Sequence, residues 1–394
     1  MNSVSTTTII GRDPLSGNCL SLRVVDGLIH RIEESSQATD LFLSPGLIDL
    51  QVNGVAGLDV NSPELTPEII VQLVDAMISR GVTCFAPTII TAPEEAICHA
   101  LFVIAEARRR NARVASCIPF VHVEGPHISP LDGYRGAHPS AAVRPPSIAE
   151  FQRWQTAAEG CVGMVTLSPH FRETNAYVAA LVMQGVHVAI GHTHANAEEI
   201  GSAVAAGACL STHLGNGIPS TIPRHCNPIW PQLADERLTA SFISDGHHLL
   251  PSALKAMLRA KGLSSSILVS DSVALAGMPP GTYDTPVGGR VEMRADGRLC
   301  VAGTELLAGA TASLAECIGH LVRVTDIPLH EVLRMATVNP GKFVGGRGGL
   351  KAGARADIVR FRWQDAMLIE DVWLAGKPAY ARAGSPARHE GEAR

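Results

Sequence analysis

The feature that most limits what this 394-residue chain can fold into is a pattern repeated eight times. A short run rich in Val, Ile and Thr gives way to a polar or glycine-containing exit, then to a stretch with apolar residues at helical spacing. The runs occupy 43–52, 83–90, 118–123, 162–168, 187–191, 208–214, 238–244 and 266–270. Strands of this length alternating with helices make parallel strand–helix–strand units, and eight of them predict a closed α/β assembly, a (β/α)8 TIM-like barrel. The segment PELTPEIIVQLVDAMISRG is read as one such helix, opened by Pro63 and closed by Gly81.

The two ends of the chain follow a different pattern. Residues 4–42 (TTTII, CLSLRVV, LIHRI) and 349–380 (ADIVRFR, DVWLAG) alternate in short strand-like pieces, the former broken by DPLSG and DG turns. Neither end is long enough to be stable alone, so together they predict one small β-sandwich domain built from both termini. The expected boundaries are 1–42 and 346–394 for the two parts of that domain and 43–345 for the barrel, with the tail AGSPARHEGEAR fraying. A barrel commonly takes about 250 residues, which the length accommodates. Residues 278–309, with ADG as a hairpin turn, are read as an insertion after the eighth strand, on the rim where active-site loops belong.

Composition narrows the function classes. With 46% hydrophobic and 18% charged residues the chain buries a large core. A net charge of −5 gives no basic field for a phosphate backbone, and the basic run 108–110 only ends a helical pattern, so nucleic acid is not an expected partner. The apolar stretch 177–190 is interrupted by Gln184 and His187, short of the 18 or so residues of a membrane span. The start, MNSVSTTTIIGRD, lacks a basic region followed by an apolar core and a cleavage site. Nine cysteines (Cys19, Cys84, Cys98, Cys117, Cys161, Cys209, Cys226, Cys300, Cys317) are scattered without a C-x-x-C pair, as small core residues of a reducing compartment are. The expectation is a cytoplasmic protein without a membrane partner.

Placed on the eight runs, the ionisable residues collect at strand C-terminal ends. Glu124 follows the third run in FVHVEGPH, His192 the fifth in AIGHTHA, His213 the sixth in LSTHLGN and Asp271 the eighth in LVSDS. One carboxylate and two imidazoles make the His2Glu set that holds a catalytic zinc while leaving a position for water. Asp271 then remains as the base that takes that water's proton, since a metal brings the water's pKa near 7. His122, on the same strand face as Glu124, is read as a supporting residue. His170, His187, His194 and His247 are read as structural.

These segments resemble the N-acetylglucosamine-6-phosphate deacetylases of the amidohydrolase superfamily. The resemblance runs through SPGLIDLQVNG, HVEGPHISP, RGAH, GHT, STHLGNGIP, ISDGHH, VSDS, GTELLAGA, ATVNPGK and GLKAGARADIV, nearly the whole chain. It implies a barrel with a β-sandwich from both ends, Glu124, His192 and His213 as ligands of a divalent metal, and Asp271 as general base and then acid. It also implies substrate contacts from Ala137, His138, Asn216, Gly217, His248 and Leu307, Ala308 and Gly309, with His138 placed to steady the oxyanion of the tetrahedral intermediate. The implied partner is an N-acetylated amino-sugar phosphate, and the implied assembly a homodimer.

Two departures stand out. Many amidohydrolases carry His-x-His at the end of the first strand, where this chain has Gln51 and Asn53. Neutral amides are poor ligands for a second transition metal, which predicts one metal per subunit, zinc first and iron or manganese as alternatives. Family members also place an arginine after the second metal histidine that reaches the sugar phosphate of a neighbouring subunit. Arg224 stands at that spacing, in the divergent context IPRHCNPIW. An arginine fork suits phosphate, so the expected reaction is hydrolysis of N-acetyl-D-glucosamine 6-phosphate to acetate and D-glucosamine 6-phosphate in amino-sugar catabolism. Alternatives are the same hydrolysis on N-acetylgalactosamine 6-phosphate or on an unphosphorylated N-acyl sugar or amino acid, and a barrel that binds without catalysis.

Overall fold

The computed structural model describes residues 5–286 and 288–383, which fall into two compact units. Residues 1–4, residue 287 and nearly all of the AGSPARHEGEAR tail lie outside the described residues.

An eight-stranded sheet runs in chain order: Leu47–Val52, Val82–Ile90, Val121–Glu124, Val162–Leu167, His187–Ile190, Leu210–Ser211, Thr239–Phe242 and Ser266–Leu268. Every residue of the first two strands is buried, the pattern of parallel strands covered on both faces. The register is level at the C-terminal ends, where Ile90 and Thr166 both pair with Glu124, and Ile190 pairs with Leu167 and Ser211. The ring closes at that same end. Asp271 N donates to Gln51 O at 3.1 Å, Asn53 N donates to Ser272 O at 2.7 Å, and Val52 bridges Ser272 in parallel. The closure is thus made beside Asp271.

Two of the expected elements need correction. The run 43–52 is two strands, because Pro45 offers no N–H to continue a ladder: Phe42–Pro45 joins the sheet of the chain ends and Leu47–Val52 the barrel. The first helix starts at Pro67, not Pro63. Thr66 Oγ1 accepts from Ile69 N at 3.4 Å, so the second Pro of PELTPE takes the first helical position, and residues 63–64 form a turn before it. The second strand, Val82–Ile90, starts one residue before its run, the third, Val121–Glu124, starts three residues later and ends one residue later, and the last five end one to three residues before their runs do.

The unit containing the chain ends carries a seven-stranded sheet, ordered Lys377–Ala381, Met367–Leu374, Ile358–Trp363, Phe42–Pro45, Thr6–Arg12, Cys19–Val25 and Leu28–Glu34. Strands from the two ends meet where Phe42–Pro45 pairs antiparallel with Ile358–Trp363. One cluster, Ile9, Leu22, Val24, Ile29, Leu43, Ala356, Ile358 and Trp373, joins residues some 350 positions apart in sequence, which is why neither end reads as a stable piece alone.

Within the second unit the insertion forms a three-stranded antiparallel sheet, Gly281–Thr285, Gly289–Met293 and Leu299–Val301. Its ADG segment is the turn between the last two strands. Val291, Met293, Leu299 and Ala308 pack with Val273 and Leu275, and Ala137 leans on the same cluster. Apolar burial therefore draws the RGAH loop and the end of the insertion to the eighth strand's exit.

Candidate active site

The strand exits bring the charged residues together. Glu124 ends the third strand, and His192, His213 and Asp271 follow the fifth, sixth and eighth. The last three sit in the left-handed region, with φ of 47°, 29° and 50°. A non-glycine residue pays for that conformation, and such strain is held where the surrounding structure dictates it. Here the turn aims each side chain inward instead of along the strand. Chain packing enforces it at His192, where a Cβ on Gly217, itself at φ +60°, would lie 2.6 Å from the ring's Nδ1. The ring is further fixed by Nδ1 donating to Tyr134 O at 3.0 Å.

Glu124, His192 and His213 are buried, and one ligand atom from each lies within 4.8 Å of the others. His213 Nε2 is 2.9 Å and His192 Nε2 3.4 Å from Glu124 Oε1. Burial opposes the Glu124 charge, but the two imidazoles outweigh it and hold the carboxyl well below its usual range. For His213, burial disfavours the charged ring and Glu124 more than restores it, so its pKa rises. Two nitrogens and one carboxylate converging in a dry site fit a divalent cation by donor type.

Asp271 is held by the two amides that replace His-x-His. Gln51 Nε2 donates to its Oδ1 at 3.0 Å and Asn53 Nδ2 to the same oxygen at 2.9 Å. Gln51 Nε2 also lies 3.1 Å from both Glu124 oxygens. Burial, and then the charge of Glu124, pushes the Asp271 carboxyl up to about 6. An acid so tuned gives and takes protons near neutrality.

His122 lies beneath the cluster on the same strand as Glu124. It is buried, with Nδ1 at 3.2 Å from Leu50 O and Nε2 at 2.7 Å from Thr166 Oγ1, and burial lowers its pKa to about 4. His138 is buried against His192, ring centroids 4.4 Å apart, with Nδ1 at 2.9 Å from Thr91 Oγ1. Burial, then His192, lowers its pKa to about 3. Of the residues read as structural, His247 reaches Asp296 O at 3.1 Å, while the rings of His170 and His194 lie tilted against each other with centroids 4.3 Å apart, their Nδ1 atoms on Ser168 and Ser129.

The remaining residues surround this core. Asn216 N donates to His213 O at 2.9 Å, and a cleft of about 250 Å³ is lined by His192, Thr212, Asn216, Gly217, Ile218 and Gln232. Ala310 N donates to Asp271 O at 3.1 Å, which sets Leu307, Ala308 and Gly309 beside the base. His248 Nδ1 donates to Asp245 Oδ2 at 2.7 Å, leaving Nε2 as the ring's other working atom. Arg224 is exposed, and among the described residues its guanidinium has no ion pair and no hydrogen bond to the cluster. Its carbonyl accepts from Trp230 Nε1 at 3.0 Å, which fixes the loop but not the side chain.

Sequence reading missed Thr91 and Asp245 and took Gln51 and Asn53 only as failed ligands. The D-x-x-H spacing of Asp245 and His248 was a usable signal, since Asp245 Oδ1 also accepts His247 N and His248 N in a local turn. Nothing in the sequence marks Thr91.

The amidohydrolase family model matches residues 42–379. The chain belongs to the amidohydrolase family. It is 32% identical over 362 residues to N-acetylglucosamine-6-phosphate deacetylase of Bos taurus, covering 88% of this chain and 85% of that protein. It is 30% identical over 365 residues to N-acetylgalactosamine-6-phosphate deacetylase of Escherichia coli O157:H7, covering 91% of this chain and 94% of the relative. A Mycobacterium smegmatis N-acetyl-D-glucosamine-6-phosphate deacetylase variant, solved with N-acetyl-D-glucosamine 6-phosphate, is 28% identical with a TM-score of 0.84. That likeness covers 95% of this chain and 99% of the other. Among the described residues no helix is long and apolar enough to cross a membrane.

Proposed function

We propose that this protein hydrolyses N-acetyl-D-glucosamine 6-phosphate to D-glucosamine 6-phosphate and acetate, a step of amino-sugar catabolism. The observation that carries the reading is a buried Glu124–His192–His213 cluster next to Asp271, a carboxyl tuned to about 6 and gripped at Oδ1 by Gln51 and Asn53. Relatives of both named activities cover most of the chain and support the substrate class.

Glu124, His192 and His213 would hold one divalent cation per subunit, zinc by preference for this N/O donor set, with iron or manganese as alternatives. When bound, it supplies Lewis acidity to the attacking water and to the amide carbonyl. Asp271 Oδ2, not engaged by the two amides, takes the water's proton as the water adds to the acetamide carbon. His138 stands beside the oxygen that gains negative charge, where a hydrogen-bond donor acts only in the transition state. Asp271 then hands its proton to the departing amine, and acetate and the free amino sugar leave. The same carboxyl works twice because, at about 6, it can both take up and release a proton near neutrality.

Asn216, Gly217, Ala137 and Leu307 to Gly309 orient the sugar. His248, with its tautomer set by Asp245, and Arg224 meet the phosphate, Arg224 from a neighbouring subunit of a homodimer. Its exposed guanidinium, without an ion pair among the described residues, supports that assignment. The barrel is taken as residues 43–345 with the β-domain from 1–42 and 346–394, and the enzyme as cytoplasmic. A second reading, hydrolysis of the galactosamine epimer, draws on the relative that covers 91% of this chain.

The test is acetate release by the zinc-loaded protein from N-acetylglucosamine 6-phosphate, N-acetylgalactosamine 6-phosphate and unphosphorylated N-acetylglucosamine. Preference for the first supports the proposal. Preference for the second moves it to the epimer, and equal turnover of the first and third removes the phosphate from it.

A further inference from the structure

Thr91, the first residue after the second barrel strand, is fully buried, and its hydroxyl sits between two groups of the site. Its Oγ1 is 2.9 Å from His138 Nδ1 and 3.3 Å from the backbone oxygen of Glu124. The seat is built for it. A Cβ on Gly125, which adopts φ +79°, would lie 2.1 Å from that Oγ1, so the glycine of HVEGP clears the notch the hydroxyl occupies. His138 is held from its other side as well, since Arg135 Nε donates to its carbonyl at 3.1 Å. Among the described residues its Nε2 has no partner.

The hydroxyl has one hydrogen and two acceptors within reach, and the choice decides what His138 can do. With the hydrogen on Glu124 O, a neutral His138 must donate from Nδ1, and Nε2 is then a bare lone pair that repels an oxyanion. With the hydrogen on His138 Nδ1, the ring proton moves to Nε2, which becomes a donor. The shorter of the two contacts is the one to His138. We infer that Thr91 is a positioning residue for the oxyanion donor: its hydroxyl donates to His138 Nδ1 and so places the ring hydrogen on Nε2, toward the reacting carbonyl. The assignment rests on the deacetylase reading for its purpose but not for its geometry. It is a hydroxyl counterpart of the carboxylates and carbonyls that fix histidine tautomers elsewhere.

The experiment uses zinc-loaded protein, 15N-labelled at histidine, with His138 assigned from a His138→Gln sample. Wild type should show His138 protonated at Nε2 and bare at Nδ1. Thr91→Val, of nearly the same shape, should lose that signature and lower kcat ten- to hundred-fold, with KM within about threefold and one metal per subunit retained. Thr91→Ser should recover both tautomer and kcat. Wild type with its hydrogen on Nδ1, or Thr91→Val with wild-type kcat, would overturn the inference. So would Thr91→Val that loses metal while the His138 spectrum is unchanged, because the effect would then run through Glu124. Wild type inactive on every acetamido sugar would sink the deacetylase reading instead, with the tautomer still read from the spectrum.

Discussion

Replacing Asn53 by leucine isolates the grip on the proposed base. Asn53 Nδ2 donates to Asp271 Oδ1 at 2.9 Å, and its own Oδ1 is buried with no partner among the described residues. Leucine therefore removes one favourable donor and one unsatisfied acceptor, and the fold should tolerate it. A hydrogen bond to a charged group contributes about 1.5–3 kcal/mol, and at 1.36 kcal/mol per pH unit this is roughly one to two units of pKa. The donor favours the carboxylate over the acid, so its loss raises the pKa of Asp271 above the value of about 6 set by burial and Glu124. A bound cation lowers the starting point in both proteins without changing the sign. A general base must be deprotonated to act, so the acid limb of the kcat/KM profile should move to higher pH by about one to two units. Activity should fall ten- to hundred-fold below the limb and approach wild type above it. The assay is acetate release between pH 4.5 and 9 with metal content measured alongside. An unmoved acid limb, or a loss equal at every pH with one metal retained, would refute the idea that the first strand's amides tune Asp271.

Other perturbations test the remaining parts. Asp271→Asn should remove at least a hundredfold of kcat while keeping the metal. In the metal-free protein it should also stabilise: a carboxyl raised from 3.8 to about 6 contributes stability only below its unfolded value and loses it as pH rises through the folded one. At pH 7 that strain is on the order of 3 kcal/mol, read as a higher Tm of the variant, and equal melting of the two apo proteins would contradict it. Chelation should abolish turnover, and about one equivalent of zinc should restore it; a requirement for two would reopen Gln51 and Asn53 as ligands. Gly217→Ala places a methyl 2.6 Å from His192 Nδ1 and should weaken metal binding by tenfold or more in a competition titration. Arg224→Ala should raise KM for the phosphorylated sugar at least tenfold and leave an unphosphorylated one unchanged, and parallel changes in both would remove Arg224 from the phosphate.

How far the sequence reaches depends on what kind of physics fixes each feature. The barrel was legible because strand burial and helix spacing are local periodicities, and the metal cluster because a carboxylate or imidazole just past an apolar run has few other places to go. The split at Gly46 was not, since the apolar run continues through it and only the missing N–H of Pro45 sends the two halves to different sheets. Gln51 and Asn53 looked like a subtraction from the His-x-His pattern because sequence shows what a residue cannot ligate, not what lies opposite it. Asp271 is 220 residues from Gln51, and only closure of the ring brings the amides and the carboxyl within 3.0 Å. Thr91 illustrates the limit most sharply: its part depends on a notch opened by Gly125 and on which neighbour takes a single hydrogen. On the proposed reading, Gln51 and Asn53 serve as neutral donors that orient Asp271 rather than as ligands of a second cation.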